Sequence, residues 1–219
     1  MTGEEDQACG VGPEGPTPPA GARGRFSRPG PALAAALFAF ALTGTVHAQD
    51  ATAGKAKAAQ CVACHGAGGS STIGIIPSLA GQTARYVVVQ LRDFKEGRRE
   101  SVPMQPLLKD LSPADLQDLA AYFAAQPLAD NGFKADPAKV ARGKAKAAET
   151  LCTMCHLGEF KGQNEVPRVA GQQHDYVAAQ LRAFRSGTRT NDAGTMSSVS
   201  KTLKDEDIED LAHYLASLY

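Results

Sequence analysis

The hydrophobic residues of this chain recur at helical intervals, and no segment shows the strict alternation that is typical of a strand. Residues 83–95 are ambiguous alone, because a run of three valines also suits a strand. A similar later segment places Val177, Leu181 and Phe184 at positions i, i+4 and i+7, with alanines in place of two valines. The pattern therefore predicts a helix in both places and an all-α fold.

Residues at the ends of the predicted helices support this interpretation. Gly97 and Gly187 follow the two segments, and glycine commonly ends a helix. Ser112 followed by Pro113 is a capping residue followed by proline at the first helical position. We expect the last helix of each half to bury a stripe of apolar residues: Leu116, Leu119, Ala120 and Phe123 in the first, and Ile208, Leu211, Ala212 and Leu215 in the second.

Most of the chain is one sequence unit written twice. Five segments recur at offsets of 89 to 92 residues, with few insertions between them: 54–59 with 143–148, 61–65 with 152–156, 77–82 with 167–172, 90–94 with 180–184, and 116–122 with 208–214. The repeat predicts a first domain at residues 49–128, a linker at 129–138 and a second domain at 139–219. We call the two copies the first repeat and the second repeat.

Residues 1–48 differ from the rest, and we expect a disordered extension followed by a signal peptide. Residues 1–30 are rich in glycine and proline, and three arginines near their end precede an apolar run at 32–42. Val46-His47-Ala48 carries small or short residues where a signal peptidase cleaves. The apolar run is shorter than the ~20 residues of a membrane-spanning helix. This order predicts export to the periplasm with cleavage after Ala48; an uncleaved anchor is the alternative.

Composition excludes one class of function and leaves room for a cofactor. The 219 residues carry 23 basic and 23 acidic side chains, and 20 and 19 remain after residue 48. That balance argues against binding to nucleic acid. The chain has eight Phe, five Tyr and no Trp, and domains of this size have thin cores. A large buried cofactor would complete them.

Candidate chemistry lies in the motif Cys-x-x-Cys-His, which occurs once in each repeat. Cys61, Cys64 and His65 form the first copy, and Cys152, Cys155 and His156 form the second. This motif is the attachment signature of c-type haem: two cysteines on one side of a helical turn take thioether bonds, and the histidine binds iron. A dithiol redox centre, a zinc site and disulfides are the alternatives. The two motifs are offset by 91 residues, which does not suit one zinc site, and no βαβ pattern supports a dithiol centre.

Two methionines are the candidates for the sixth iron ligand. Met104 lies 39 residues after His65, and Met196 lies 40 residues after His156. Met154, inside the second motif, is too close to the attachment point to reach the axial position. His174 and His213 align with alanines in the first repeat, so we expect them on the surface or in packing contacts. Ligation by histidine and methionine raises the reduction potential of a haem.

The two motifs, the run Pro-x-x-Ala-Gly-Gln, the segment Gln-Leu-Arg-x-Phe and the late methionine together resemble the dihaem cytochrome c4 family. The resemblance implies two tandem class I cytochrome c domains related by a pseudo-twofold axis, with two covalently bound haem c groups. It also implies that the carbonyls of Pro77 and Pro167 accept hydrogen bonds from the haem histidines, and that the haem propionates meet near the interface. The loop after His156 departs from its glycine-rich counterpart after His65.

The resemblance implies a periplasmic electron carrier that is not an enzyme. A quinol-oxidising complex or a dehydrogenase would be the donor and a terminal oxidase the acceptor, and peripheral association with a membrane is compatible with this role. The first alternative is the dihaem subunit of a periplasmic dehydrogenase complex that oxidises sulfide or thiosulfate. The second is a dihaem peroxidase-like enzyme, which would require one iron to lack its methionine.

Overall fold

The computed structural model of the protein describes residues 49–219, and the segment predicted to be an extension and signal peptide lies outside them. These residues form short helices joined by irregular loops. The helices of the first repeat are α1 (Ala51–Lys57), α2 (Ala59–His65), α3 (Ala84–Lys95), α4 (Met104–Leu108) and α5 (Pro113–Ala124). Those of the second are α6 (Pro137–Glu149), α7 (Cys152–His156), α8 (His174–Ser186), α9 (Thr195–Lys201) and α10 (Asp205–Ala216).

The all-α prediction is confirmed. Within residues 49–219 the extended pairing is limited to an isolated bridge between Gln163 and Val166. Residues 49–219 belong to one compact body. Among the described helices, none has the length and hydropathy needed to cross a lipid bilayer.

The observed helix ends match the predicted signals with two differences. Gly187 ends α8 in a left-handed conformation as expected, but Glu96 takes the capping position of α3, one residue before Gly97. The helix α6 starts inside the segment predicted as linker, at Pro137. The Asp136 side chain accepts hydrogen bonds from the first backbone N–H groups, and proline at the first position needs no partner.

Each repeat is held together by its first and last helices, which cross at a glycine. An ideal Cβ on Gly54 would lie 2.0 Å from the carbonyl oxygen of Asp118, and one on Gly143 would lie 2.0 Å from that of Asp210. The backbones of α1 and α5, and those of α6 and α10, therefore approach as closely as the main chain allows. This contact explains why the segment that contains each glycine recurs word for word.

The predicted apolar stripes are buried. All eight side chains are at most 8% exposed. The described core around α5 contains four buried residues, and that around α10 contains ten. The first repeat in particular has a thin protein core, as the low aromatic content indicates.

One core position is filled from opposite sides in the two repeats. In the first, Phe123 of α5 presses against Gly69, where an added Cβ would lie 2.7 Å from its ring. In the second, the equivalent positions hold Leu215 and Phe160, and Phe160 is 3% exposed. The aromatic ring is on the helix in the first repeat and on the loop in the second. The loop after the second motif therefore differs in sequence, but the same core space is filled in both repeats.

The two loops also keep the same backbone path despite different residues. Gly66, Gly68 and Gly69 all have positive φ values, from 62° to 85°. The equivalent residues Leu157, Glu159 and Phe160 have φ values from 56° to 62°. A side chain in this left-handed region costs about 1–2 kcal/mol per residue, so the second loop holds strain that the first avoids.

The two repeats contact each other through reciprocal hydrogen bonds made by the glutamine of each Ala-Gly-Gln run. The Gln82 amide donates to the carbonyl of Arg168 at 2.9 Å and accepts from its N–H at 2.7 Å. The Gln172 amide makes the same pair with Ser78, at 3.0 and 2.8 Å. Both glutamines are buried. Since Arg168 and Ser78 are equivalent positions, the contact repeats itself about a pseudo-twofold axis.

Candidate functional site

Each histidine of the two motifs is buried and oriented by a proline carbonyl. His65 and His156 are 7% and 8% exposed. In both, Nδ1 lies 2.8 Å from a carbonyl oxygen, that of Pro77 for His65 and that of Pro167 for His156. Because a carbonyl only accepts, Nδ1 carries the proton and Nε2 keeps its lone pair. Burial lowers the pKa of both imidazoles, although the hydrogen bond opposes this, and so favours the neutral form that binds metal.

The four motif cysteines lie where a covalent cofactor could be attached. Cys61 and Cys152 are half-buried, while Cys64 and Cys155 are exposed, and none of the four forms a disulfide. In each motif the two cysteines are three residues apart on one helical turn. The site thus has an inner and an outer thiol on the same side of the motif histidine.

The two candidate methionines lie at the start of short helices rather than in loops. Met104 is the first residue of α4, and Met196 is the second residue of α9. Met154 is 71% exposed. The helix that carries each methionine had no clear sequence signal, because five to seven residues are too few to show a period.

A cavity of about 1460 Å³ brings the predicted site residues together. It is lined by all eight of them: Cys61, Cys64, His65, Met104, Cys152, Cys155, His156 and Met196. Both repeats contribute to its walls, and the core residues Leu119, Phe123 and Phe160 close its floor. His174 and His213 do not line it.

A polar network that could not be predicted from the sequence joins the two repeats along this cavity. Arg99 donates to the Tyr176 hydroxyl at 2.8 Å and to Gln180 at 3.0 Å. Arg189 donates to the equivalent Tyr86 at 3.2 Å and to the equivalent Gln90 at 3.1 Å. The contacts span 77 to 103 residues of sequence, so no local pattern could show them.

Three arginines at this interface lack an acidic partner. Arg99, Arg168 and Arg189 all line the cavity, and none forms an ion pair with a carboxylate in the described part of the chain. Arg168 is 8% exposed, its pKa is lowered by burial, and its Nε makes no hydrogen bond. Buried cations are costly without an anion. The acidic groups of a bound cofactor would supply one.

Taken together, the donors fit haem c. Each repeat offers two thiols on one helical turn, a neutral imidazole with a free Nε2 and a thioether, around a space with largely apolar walls. The unpartnered arginines suit the propionates of haem. A zinc site at the motifs is not supported, because each motif has only one histidine and, within residues 49–219, the motif cysteines and histidines do not form a metal-binding cluster.

Comparison with known proteins gives the same result for most of the chain. The family model described as cytochrome c matches residues 140–219, and the one described as cytochrome c oxidase, cbb3-type, subunit III matches residues 48–123. Cytochrome c4 of Pseudomonas aeruginosa is 44% identical in an alignment of 199 positions that covers 85% of this chain and 98% of that protein.

A solved structure and a relative with a different name add detail. The crystal structure of reduced recombinant cytochrome c4 from Pseudomonas stutzeri superposes with a TM-score of 0.74 at 38% identity, covering 78% of this chain and all of that one. A protein named thiosulfate dehydrogenase electron acceptor, from Thiomonas intermedia, is 33% identical over 74% of this chain and 79% of its own length. The chain therefore belongs to the cytochrome c4 family of dihaem electron-transfer proteins, with two class I cytochrome c domains and two covalently bound haem c groups.

Proposed function

We propose that this protein is a periplasmic carrier of single electrons in which His65 with Met104, and His156 with Met196, are the axial ligands of the two haem irons. Cys61 and Cys64 would attach the first haem, and Cys152 and Cys155 the second. The observation that carries the proposal is that one cavity is lined by all eight residues. Two of them, His65 and His156, are imidazoles whose Nδ1 is hydrogen-bonded to a carbonyl and whose Nε2 is left free.

The ligands set the chemistry of the site. Bound haem supplies a single-electron couple between ferric and ferrous iron. The hydrogen bonds from His65 to Pro77 and from His156 to Pro167 fix the rings and make their Nε2 atoms better donors. The thioether is a neutral, soft donor that favours the ferrous form. Because His65 with Met104, and His156 with Met196, would hold the two irons, no ligand position would remain open to a substrate, and the protein would act by electron transfer.

The side chains around the cavity would balance the negative charge of the haem propionates and leave one edge of each haem accessible to partner proteins. Arg99, Arg168 and Arg189 would neutralise the haem propionates at the interface of the repeats. The exposed Cys64 and Cys155 would bring one edge of each haem to the surface, where electrons pass to partner proteins. Two exposed apolar residues that line the same cavity, Ile75 in the first repeat and Leu151 in the second, would suit transient contacts with such partners.

We further propose a quinol-oxidising complex or a dehydrogenase as the electron donor and a respiratory terminal oxidase as the acceptor. The second candidate is a role as the dihaem acceptor subunit of a dehydrogenase that oxidises thiosulfate or sulfide, and similarity to the Thiomonas intermedia protein favours it. Purification without tags separates the two roles. A carrier elutes alone and reduces an oxidase, whereas a subunit co-elutes with its dehydrogenase.

A redox titration of the holoprotein tests the ligand assignment. Met104→Ala and Met196→Ala should each leave both haems attached and lower one of the two reduction potentials, by roughly 0.1 V or more, since axial ligands govern a range of about 0.8 V. Met154→Ala is the matched control, because this methionine is exposed, and both potentials should stay unchanged. If a potential is unaffected by the loss of its methionine, the ligand assignment for that repeat is wrong.

A further inference from the structure

Two histidines outside the haem motifs lie side by side in the second repeat. His174 at the start of α8 and His213 on α10 have ring centroids 4.6 Å apart. Glu209 precedes His213 by one helical turn. One nitrogen of each ring and one oxygen of this carboxylate all lie within 4.8 Å of one another. None of the three side chains lines the haem cavity.

The His174 ring is already oriented as a metal ligand. Its Nδ1–H donates to the Asp175 carboxylate at 2.8 Å, so in the neutral ring the lone pair is on Nε2. This Nε2 is shielded from solvent, makes no hydrogen bond, and lies 3.4 Å from Oε2 of Glu209. A histidine that binds a metal through one ring nitrogen usually donates the N–H of its other nitrogen to a carboxylate, a carbonyl or water. Phe133 stacks on the ring at 4.6 Å and limits its rotation.

The other two side chains each contribute one atom to the cluster. Arg182 donates to Oε1 of Glu209 at 2.6 Å, which leaves Oε2 facing His174. His213 accepts a hydrogen bond at Nδ1 from the backbone N–H of Asp136, at 3.1 Å and on the surface. Binding through Nε2 requires the ring proton to move to Nδ1 and the ring to rotate away from the Asp136 N–H, which then donates to water.

All three residues are specific to the second repeat. The equivalent positions in the first repeat are Ala84, Gln117 and Ala121, which offer neither imidazole nor carboxylate. The surrounding charges also favour a cation, because Asp136, Asp175 and Glu209 outnumber Lys139 and Arg182 among the charged groups nearby. The first repeat shows in addition that this fold accepts alanine and glutamine at these positions.

We propose that His174, Glu209 and His213 form a binding site for a divalent transition-metal ion of the zinc class, separate from both haems. Two imidazoles and one carboxylate are a ligand set that zinc uses, with bonds of about 2.0–2.2 Å. Such bonds place the ligand atoms about 3.3 Å apart, so the side chains need only small inward rotations. The ion would join α8 to α10 beside the linker residue Phe133.

Calorimetric titration of the ferric holoprotein with Zn²⁺ in chelator-free buffer tests the site. We expect one Zn²⁺ per chain, and at least tenfold weaker binding in His174→Ala, Glu209→Gln and His213→Ala, each of which installs the residue of the first repeat. Glu206→Gln is the control, because Glu206 is exposed on the same helix and is not part of the cluster. Cu²⁺ bound at the same site should show nitrogen couplings in its electron paramagnetic resonance spectrum, and these should weaken in both histidine variants.

Haem absorption and the two reduction potentials report on whether each variant keeps its fold, and they should not change. If an alanine variant loses haem, Glu209→Gln decides the matter, since it removes a ligand charge and keeps the side-chain volume. Absence of binding in the wild-type protein would overturn the proposal. Equal affinity in the wild type and all three variants would also overturn it, because the ion would then sit elsewhere.

Discussion

At the scale of the residue, the glycines in the first helix of each repeat allow that helix to pack closely against the last one. Glycine inside a helix normally costs 0.5–1 kcal/mol relative to alanine. Gly54 and Gly143 are retained because a Cβ at either position would collide with a backbone carbonyl at 2.0 Å, and a carbonyl inside a helix cannot move aside. The recurrence of the segment was visible in the sequence, but its cause was not, because the partner carbonyls are 64 and 67 residues away.

Gly54→Ala should lower the free energy of unfolding by about 1–3 kcal/mol, the usual cost of overpacking. Thermal or denaturant unfolding of the holoprotein, followed by circular dichroism, measures it. Gly158→Ala is the control, because nothing lies within 4 Å of an added Cβ there. Equal effects of the two substitutions would show that the helices do not cross as closely as described.

The chemistry-bearing residues were predictable one by one, because their motifs are local. Cys61, Cys64 and His65 form a single helical turn, so spacing alone specifies their geometry. The same reasoning could not pair Arg189 with Tyr86 or bring His174 to His213, since those contacts depend on how distant helices pack. Alignment of the repeats gave the one useful signal, by marking both histidines as departures from the first copy.

At the scale of the element, capping decides where the last helices begin. Ser112 and Asp115 form a reciprocal capping box at the start of α5, and Lys57 of α1 forms an ion pair with Asp115 at 2.9 Å. Hydrogen bonds from Ser112 and from Lys57 lower the pKa of the Asp115 carboxyl. The folded-state pKa is thus below the unfolded value of about 3.9, so this stabilisation is present above that value and is lost as the pH falls below it.

Asp115→Asn should reduce the free energy of unfolding by about 1 kcal/mol near pH 7, as expected for a weakened cap. The difference between variant and wild type should shrink as the pH falls below about 4. Unfolding curves at several pH values measure both effects. Asp110→Asn is the control, because Asp110 is exposed and forms no ion pair with another described residue. A difference that is constant from pH 7 to low pH would contradict the role of the ionised carboxylate.

Helix positions were predicted well where several signals agreed, and poorly where a helix was short. The capping pair at Ser112 and the amphipathic period placed α5 correctly. By contrast, α4 and α9, which carry Met104 and Met196, have five and seven residues and therefore show no period. The start of α6 at Pro137 shows that a proline in a predicted linker can instead be the first residue of a helix.

At the scale of the whole molecule, the same segment of each repeat forms the interface between the two repeats. Gln82 and Gln172 each bind the backbone of the opposite repeat, so the segments that place the haem histidines also lock the repeats together. The carbonyl acceptors of His65 and His156 belong to Pro77 and Pro167, a few residues before those glutamines. A change at the interface would thus alter the orientation of both histidines, and through them the two proposed haem sites.

Sequence reasoning reached the all-α class and the family because the repeat and the motifs cover most of the chain. It did not reach the arginines at the interface, since Arg99 and Arg189 have ordinary surroundings in the sequence. Their role follows only from the cavity that they share. The loop after His156 shows the opposite case, in which the sequence diverges from the first repeat but the backbone keeps its path at a cost in strain.

The central claim is that each iron is bound by a methionine of its own repeat. It is tested most directly by the near-infrared absorption that methionine sulfur gives when bound to ferric haem iron. We predict that the ferric holoprotein shows this band with two contributions. Met104→Ala and Met196→Ala should each remove one, and the double variant should remove both, while Met154→Ala leaves the band intact. If either single substitution leaves the band at its full intensity, that methionine is not a ligand, and the account fails for that half of the molecule.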